Sequence, residues 1–368
     1  MIGLFQRALC VGVVACATLF QSALASDGSS SPPAPAGIAV DGDGNVYVSD
    51  YAQDRVVKFG PDGTVLAQWG GSGSGPGQLN APFGVAVDER NTLFVVDQLN
   101  NRVQHFGADG SSLGAWGGAG AGASDLRTPF GVAVAGGRVY VADFGNDRVQ
   151  VFSPDGTPLT TLGGRGSGDG QFQRPAGVAL DHDGTLYVTD HFNDRVQRFN
   201  GEGRFQGQIG TLQVASTATA TTIPSGAATV VSNATVVVTP TPTVLATPAA
   251  PAAATPPAAT PGTSSLAPVP PSSTVPDAQL RRPEGIAVDR DGNLWVADYG
   301  RDRVVKLAPD GRLLLSWGSR GSGSGEFVGP KGVAVDPTTG RLYVADTGNA
   351  RVQRMAPDGT VEAIWPLP

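Results

Sequence analysis

One pattern recurs six times along the chain, and it constrains the fold more than any other feature. It reads Gly-Val-Ala-Val-Asp, a turn, Leu-Tyr-Val-Ala-Asp, four residues and then Arg-Val-Gln-x-Phe. The copies begin at Gly37, Gly84, Gly131, Gly177, Gly285 and Gly332, at intervals of 47, 47, 46, 108 and 47 residues. A period in the forties made of strand-like pieces is typical of a radial or solenoidal array.

Each copy predicts four antiparallel strands. In the first copy, 37–40 is almost wholly apolar, as expected of a strand buried on both faces, and 46–50 is β-branched and aromatic. The segment 55–59 mixes polar and apolar positions, so one of its faces is solvated, and 64–69 follows a Pro-Asp-Gly turn. Four-stranded antiparallel units repeated radially are the blades of a β-propeller. The sequence therefore predicts an all-β, six-bladed propeller whose strands run from the axis outward.

The repeat also resembles a known family. It follows the pattern Pro-x-Gly-Val-Ala-Val-Asp-x-x-Gly-x-Leu-Tyr-Val-x-Asp-x-x-x-x-Arg-Val-x-x-Phe. This pattern is similar to the NHL repeat, and the chain resembles a secreted, bacterial-type NHL protein. Copies run over 82–106, 129–152, 175–199, 283–307 and 330–355, and the first begins at Pro35. The resemblance covers 35–210 and 281–366 and implies six blades. Both end blades look complete, so we expect the ring to close by packing between the first and last blades.

The N-terminus has the pattern of a secretory signal peptide at 1–25: a basic start, a short apolar centre and an Ala-Leu-Ala cleavage site. Both cysteines, Cys10 and Cys16, lie inside it, so the mature chain would have no thiol. An alternative reading takes Val-Val-Ala-Cys16 as a lipobox, which would anchor the protein to a membrane through Cys16. We expect an extracellular or cell-surface protein, with free secretion and lipid anchoring both open.

The extra length in the long interval is rich in Thr, Ala, Pro and Ser. Proline disrupts both helices and strand ladders, so this segment is predicted to be a disordered insertion between blades four and five. It is either neutral decoration or a cell-wall spacer or partner-binding tether. The predicted organisation is a signal peptide at 1–25, a linker at 26–34, blades one to four at 35–210, the insertion at 211–280, and blades five and six at 281–368.

The charge balance argues against a nucleic-acid partner. The chain has 25 basic and 32 acidic residues, a net charge of −7, and no basic cluster longer than Arg281-Arg282. A nucleic-acid binder is expected to carry a positive stripe or patch. We therefore expect no nucleic-acid partner, a membrane partner only if Cys16 is lipidated, and a monomer.

Six Asp/Arg pairs recur at one spacing. An enzyme needs one asymmetric site, so we interpret these pairs as structural, with each carboxylate capping backbone groups or pairing with a guanidinium. The pairs are Asp50 with Arg55, Asp97 with Arg102, Asp143 with Arg148, Asp190 with Arg195, Asp298 with Arg303 and Asp346 with Arg351.

The histidines do not predict a metal site. The peptide-amidating lyases, which are relatives with this fold, hold zinc on histidines around the axis. Here His105, His182 and His191 occupy three different repeat positions, so they are not expected to converge on one ion. We predict no cofactor and no catalytic residue, and an axial divalent cation stays open as an alternative.

Functional residues are expected where the copies differ. Loops that join strands two and three, and loops that join one blade to the next, share one face of the disc. The variable positions just after the recurring Asp are Tyr51, Gln98, Phe144, His191, Tyr299 and Thr347. The variable positions between the recurring Pro and Gly are Ala36, Phe83, Phe130, Ala176, Glu284 and Lys331.

Exposed aromatic rings beside a few polar groups suit a recognition surface, and packing of the same rings between blades is the alternative. Apart from Ala36 and Ala176, the variable residues are the predicted binding residues. The function that the sequence favours is a secreted or surface-tethered, non-catalytic scaffold for a protein, peptide or glycan. The alternative is an extracellular metal-dependent lyase or hydrolase with an axial site.

Overall fold

The structure, a computed structural model, describes residues 31–210 and 279–368 and confirms the predicted fold. Six antiparallel sheets each hold four consecutive strands. Blade one comprises β1 (Pro35–Val40), β2 (Val46–Asp50), β3 (Arg55–Phe59) and β4 (Val65–Gly70). Blade two comprises β5 (Pro82–Val87), β6 (Leu93–Asp97), β7 (Arg102–Phe106) and β8 (Ser112–Gly117). Blade three comprises β9 (Val132–Ala135), β10 (Arg138–Asp143), β11 (Arg148–Phe152) and β12 (Pro158–Gly163).

The remaining blades repeat this order. Blade four comprises β13 (Pro175–Leu180), β14 (Leu186–Asp190), β15 (Arg195–Phe199) and β16 (Phe205–Ile209). Blade five comprises β17 (Pro283–Val288), β18 (Leu294–Asp298), β19 (Arg303–Leu307) and β20 (Leu313–Trp317). Blade six comprises β21 (Pro330–Val335), β22 (Leu342–Asp346), β23 (Arg351–Met355) and β24 (Val361–Pro366). Single-turn 3₁₀ helices follow the second strands of blades two to six, at Gln98–Asn100, Phe144–Asn146, His191–Asn193, Tyr299–Arg301 and Thr347–Asn349.

Burial follows the order of strands within each blade. Every residue of the second strands β2, β6, β14, β18 and β22 is buried. The fourth strands β4 and β8 are mostly exposed and form the rim. Six apolar clusters fill the spaces between the blades, and each draws side chains from two neighbouring sheets. The core is therefore a ring of interfaces between blades.

The glycine that begins each copy allows the blades to approach one another at the axis. A β-carbon on any of these six glycines would lie within 3.0 Å of a backbone carbonyl oxygen in the next blade. Such a distance is far inside van der Waals contact, so a larger residue would push the backbones apart. The carbonyls belong, in blade order, to Phe83, Phe130, Ala176, Glu284, Lys331 and Ala36. The last contact, from Gly332 to Ala36, closes the ring.

The seam between blades six and one is also packed at the rim. Trp365 of β24 stacks on Phe59 of β3 with ring centroids 5.6 Å apart. Its indole lies against Gly63, in the turn that follows β3, where a side chain would collide with it. Each sheet is built from consecutive strands, so no strand is exchanged across the seam. The ring closes by packing, as the sequence predicts.

The predicted signal peptide, most of the predicted linker and nearly all of the predicted insertion lie outside the described residues. The chain leaves blade four after β16 and re-enters at β17, so the segment 211–278 falls between blades four and five. Within the described ranges, no helix has the length and apolar character needed to cross a membrane.

Candidate binding site at the mouth of the axial channel

The recurring Asp/Arg pairs hold the loops that form this face. In blade two, the Asp97 carboxylate accepts hydrogen bonds from the backbone N–H of Asn80 at 2.7 Å and from Nε of Arg102 at 2.7 Å. The guanidinium of Arg102 donates in turn to the carbonyls of Ser74, Gly75 and Gln78 in the glycine-rich loop between blades one and two. A buried carboxylate thus anchors a loop that has few side chains of its own.

The same ion pair occurs in every blade. The closest distances are 3.1 Å for Asp50 with Arg55, 2.7 Å for Asp97 with Arg102, 2.7 Å for Asp143 with Arg148, 2.9 Å for Asp190 with Arg195, 2.7 Å for Asp298 with Arg303 and 2.7 Å for Asp346 with Arg351. All six carboxylates are fully buried. This geometry suits a structural role, which stays a prediction.

The variable residues of the loop face form one closed circuit of contacts around the axis. We call it the mouth circuit, and it consists of Phe83, Phe130, Phe144, His191, Tyr299 and Lys331. The ring centroids lie 4.3 Å apart for Phe83 and Phe130, 4.0 Å for Phe130 and Phe144, 6.0 Å for Phe144 and His191, and 6.5 Å for His191 and Tyr299. The Lys331 ammonium lies 4.8 Å from the centre of the Tyr299 ring and 5.2 Å from that of Phe83.

Lys331 closes the circuit because blade one offers only a small side chain at the equivalent position, Ala36. The lysine of blade six therefore reaches past blade one to the phenylalanine of blade two. Ammonium groups are attracted to the faces of aromatic rings, and two rings flank this one. The result is asymmetric, with phenylalanine rings on blades two and three, His191 and Tyr299 on blades four and five, and a cation on blade six.

Glu284 of blade five neutralises the lysine. Its two carboxylate oxygens lie 3.3 and 3.2 Å from Nζ of Lys331, and the two side chains are only 5% and 16% exposed. Burial is the largest single influence on the Lys331 ammonium and lowers its pKa, but the Glu284 carboxylate together with Tyr299 and Tyr51 outweighs it, so the pKa lies above its ordinary value. The Lys331 ammonium is therefore charged at neutral pH.

His191 is buried beside this pair. Its Nδ1 lies 3.3 Å from the carbonyl oxygen of Pro283, so an N–H on Nδ1 would donate to that carbonyl. Burial is the largest influence on the His191 ring and lowers its pKa, against the opposite effect of the Glu284 carboxylate. The imidazole is therefore neutral at pH 7.

The other predicted binding residues lie outside the mouth circuit. Thr347 Oγ1 donates to the carbonyl of Pro35 at 2.7 Å, across the seam between blades six and one. Tyr51 and Gln98 are half-buried at the starts of their loops. The structure thus brings Glu284 and the mouth circuit together, and places Thr347 at the seam.

Beneath the mouth lies an axial channel lined by the inner strands of the blades. Side chains of the inner strands, among them Ile38, Val85 and Ile286, line it together with the close-packed glycines. The only charged side chains in this lining are Glu284 and Lys331. Ionic contact with a ligand along the described channel is therefore confined to its mouth.

Side chains that could bind a metal ion are few at the described mouth. No group of three or more His, Cys, Asp or Glu side chains that could hold an ion occurs within 31–210 and 279–368. His105 packs between Phe94 and Trp116, and His182 lies in an exposed turn at the other end of the strands from His191. At the mouth, only Glu284 and His191 are of ligand type, whereas zinc sites use at least three protein ligands.

An exposed aromatic ring that was not among the predicted binding residues lies on the same face. Phe192 follows His191 and is 36% exposed, and its ring lies 6.4 Å from that of Phe144. Two arginines flank these rings: Arg174 lies over Phe144 at 5.4 Å and Arg282 over Phe192 at 5.9 Å. A comparison of the copies one position further along the loop would have singled out Phe192.

Family comparison supports the repeat assignment. The NHL repeat model matches residues 126–152, 172–199, 280–307 and 327–355, which lie in blades three to six. The rat peptidylglycine alpha-amidating monooxygenase is 43% identical over 63 residues, which is 16% of this chain and 6% of that protein. The chain therefore spans only a small part of the length of the curated relatives that it matches.

Solved structures share the fold at low sequence identity. A streptogramin B lyase superposes with a TM-score of 0.53 at 13% identity, covering 92% of this chain and 85% of that one. A gluconolactonase from Xanthomonas campestris gives 0.51 at 18% identity, covering 86% and 84%. At such identities the likeness shows the fold alone.

Proposed function

Because the chain carries NHL repeats folded as a six-bladed β-propeller, we propose that it is a non-catalytic binding protein. Its loop face would engage a protein, peptide or glycan at the mouth circuit. We further propose that it acts outside the cell, secreted or tethered to the surface, in keeping with the signal-peptide pattern at 1–25.

The observation that carries this proposal is the convergence of the variable positions. The repeats share their buried residues, yet the positions at which they differ supply one continuous set of ring and ammonium contacts around the axis. Packing that is shared by all six blades would not require phenylalanine rings on two blades and an ion pair on two others. Aromatic anchors beside a few fixed polar groups are typical of recognition sites.

The ionisable groups of the mouth favour binding over catalysis. A general base must be free to accept a proton from its substrate, but the Glu284 carboxylate is already held by Lys331 at 3.2 Å. Lys331 has a raised pKa, so it is a poor nucleophile at neutral pH. Both groups are better suited to orienting a ligand than to proton transfer.

The alternative is an extracellular metal-dependent lyase or hydrolase. Its support is the proximity of Glu284 and His191 at the mouth, and the resemblance of the fold to lyases and a lactonase. Two ligand-type residues fall short of a catalytic zinc site, and one of them is ion-paired. We therefore rank this alternative second.

The test is a screen of the purified protein against arrays of synthetic peptides and glycans, followed by titration of each hit. The double variant Phe83→Ala, Phe130→Ala should weaken binding at least about tenfold, which is about 1.4 kcal/mol. The matched control is His182→Ala, at the opposite end of the strands, which should bind as the wild type does. Thermal melting checks that each variant remains folded.

Three outcomes would overturn the proposal. The first is unchanged affinity in the folded double variant. The second is a stoichiometric divalent cation in the purified protein, measured by elemental analysis and accompanied by turnover of a probe. The third is loss of binding in His182→Ala, because that result would place the site on the other face.

A further inference from the structure

Phe192 is unlike its counterparts in the other blades. The equivalent positions hold Ala52, Leu99, Gly145, Gly300 and Gly348. The Phe192 side chain is 36% exposed, so part of its apolar surface stays in water. Its backbone N–H donates to the carbonyl of Gln173 at 3.1 Å. The equivalent glycines in blades three, five and six donate their backbone N–H to a loop carbonyl in the same way. The loop therefore does not require this ring.

Two guanidinium groups lie over the rings at either end of a continuous stripe. Arg174 lies 5.4 Å from the Phe144 ring, Phe144 lies 6.4 Å from Phe192, and Arg282 lies 5.9 Å from the Phe192 ring. We call these four residues the arginine–phenylalanine stripe. It joins the mouth circuit through Phe144, which belongs to both.

The stripe is basic on an acidic protein. Within the described ranges, no carboxylate forms an ion pair with Arg174 or Arg282. The nearby carboxylates of Asp147 and Asp194 accept the backbone N–H groups of these two arginines, at 2.9 and 2.7 Å. Arg281, which directly precedes Arg282, and Arg127, at the equivalent position before blade three, are also exposed. Arginines therefore outnumber carboxylates here, although the chain carries a net charge of −7.

We propose that the arginine–phenylalanine stripe is a docking surface for an acidic segment of a partner polypeptide. Carboxylates of the partner would bind the guanidinium groups of Arg174 and Arg282, and an apolar side chain would cover Phe192. The inference rests on the proposed binding function and names the class of partner.

The chemistry of the stripe favours a peptide over a polyanion. Planar guanidinium groups match carboxylates in a two-point geometry, and cation–π contact holds both groups in place beforehand. An apolar ring between two cations fits a sequence that alternates acidic and apolar side chains. A nucleic acid or a densely charged glycan would bring more negative charge than the stripe neutralises, against the net charge of the whole chain.

The variants can be chosen from the repeats themselves. Phe192→Gly introduces the residue that blades three, five and six carry at this position. Arg174→Ala and Arg282→Ala introduce the residue found at Ala81 of blade two, whose φ of 51° matches their own values of 60° and 49°. All three are therefore expected to fold. Leu99→Gly is the matched control, because it removes a 47% exposed apolar side chain from the same repeat position.

The probe is a fluorescein-labelled peptide, Glu-Glu-Phe-Glu-Glu-Leu, titrated with the full chain and followed by fluorescence anisotropy. We expect each stripe variant to weaken binding about tenfold and Leu99→Gly to change it less than about twofold. The peptide with glutamine in place of every glutamate should bind at least about tenfold more weakly. Raising the salt concentration should weaken binding of the acidic peptide.

Several results would overturn the inference: no binding of the acidic peptide, equal binding of the glutamine peptide, or unchanged affinity in the stripe variants. Tighter binding of single-stranded RNA or of a carboxylated oligosaccharide would also overturn it, in favour of that ligand class. Failure of the proposed function is distinguishable. If the array hits need Phe83 and Phe130 but not the stripe, the binding function stands and this inference falls.

Discussion

Removal of the Lys331 ammonium should strongly destabilise the protein, because the substitution leaves the buried Glu284 carboxylate without its counter-ion. The carboxylate is 5% exposed and the ammonium 16% exposed, so the pair belongs with buried ion pairs rather than surface ones. Breaking a buried pair by removing one partner costs about 3 kcal/mol, against less than about 1 kcal/mol at a surface. The Lys331→Met variant keeps most of the side-chain volume and isolates the effect of charge.

The second variant tests the cause. In Glu284→Gln, Lys331→Met neither charge remains, so the double variant should regain stability to within about 1 kcal/mol of the wild type. Urea unfolding followed by tryptophan fluorescence measures each free energy. A double-mutant cycle then gives a coupling energy that we expect to exceed about 2 kcal/mol.

Lys58→Met is the matched control. Its ammonium lies 5.0 Å from the Tyr47 ring but forms no ion pair within the described residues, so its loss should cost only about 0.5–1 kcal/mol. The reasoning is refuted if Lys331→Met is no more destabilising than Lys58→Met. It is also refuted if the stability lost in the double variant equals the sum of the losses in Glu284→Gln and in Lys331→Met. The two charges would then act independently.

Three further predictions concern the fold and its pH dependence. Gly332→Ala should lower the free energy of unfolding by about 2 kcal/mol or more, because the added β-carbon would collide with the carbonyl oxygen of the next blade. Gly42→Ala is the control: a β-carbon there meets open space, so the free energy of unfolding should change by less than about 0.5 kcal/mol. Asp97→Asn should cost about 3 kcal/mol in urea unfolding, because it leaves a guanidinium that holds a loop without its counter-ion; a cost below about 1 kcal/mol would contradict the structural role. Burial lowers the pKa of His191 and of His105, so stability should be full above about pH 6.5 and fall as pH drops through the folded-state pKa values. His191→Gln should reduce that loss without abolishing it, and an unchanged pH profile would contradict the assignment.

The repeat made the fold predictable because local sequence encodes it directly. The pattern of apolar residues specifies the strands, the turn residues specify the hairpins, and the repeat period specifies the blades. The close-packed glycines recur at all six positions for one steric reason. The same comparison of copies identified Phe83, Phe130, Glu284 and Lys331, which the structure places together at the mouth.

Contacts between different blades could not be predicted from the repeat in the same way. Lys331 contacts Phe83 because the residue between them at the axis, Ala36, is small. This contact depends on how far a side chain extends past a neighbouring blade. The stacking of Trp365 on Phe59 at the seam likewise joins residues from the two ends of the chain. Phe192 was not predicted because it lies one position beyond the variable position that follows the recurring Asp.

The central claim is that the positions at which the repeats differ form one binding site. Its most direct test is calorimetric titration of the strongest array hit into the wild type, into Phe83→Ala, Phe130→Ala and into His182→Ala. The account predicts a dissociation constant at least about tenfold weaker for the folded double variant and an unchanged one for His182→Ala. Equal affinity in all three proteins would contradict it.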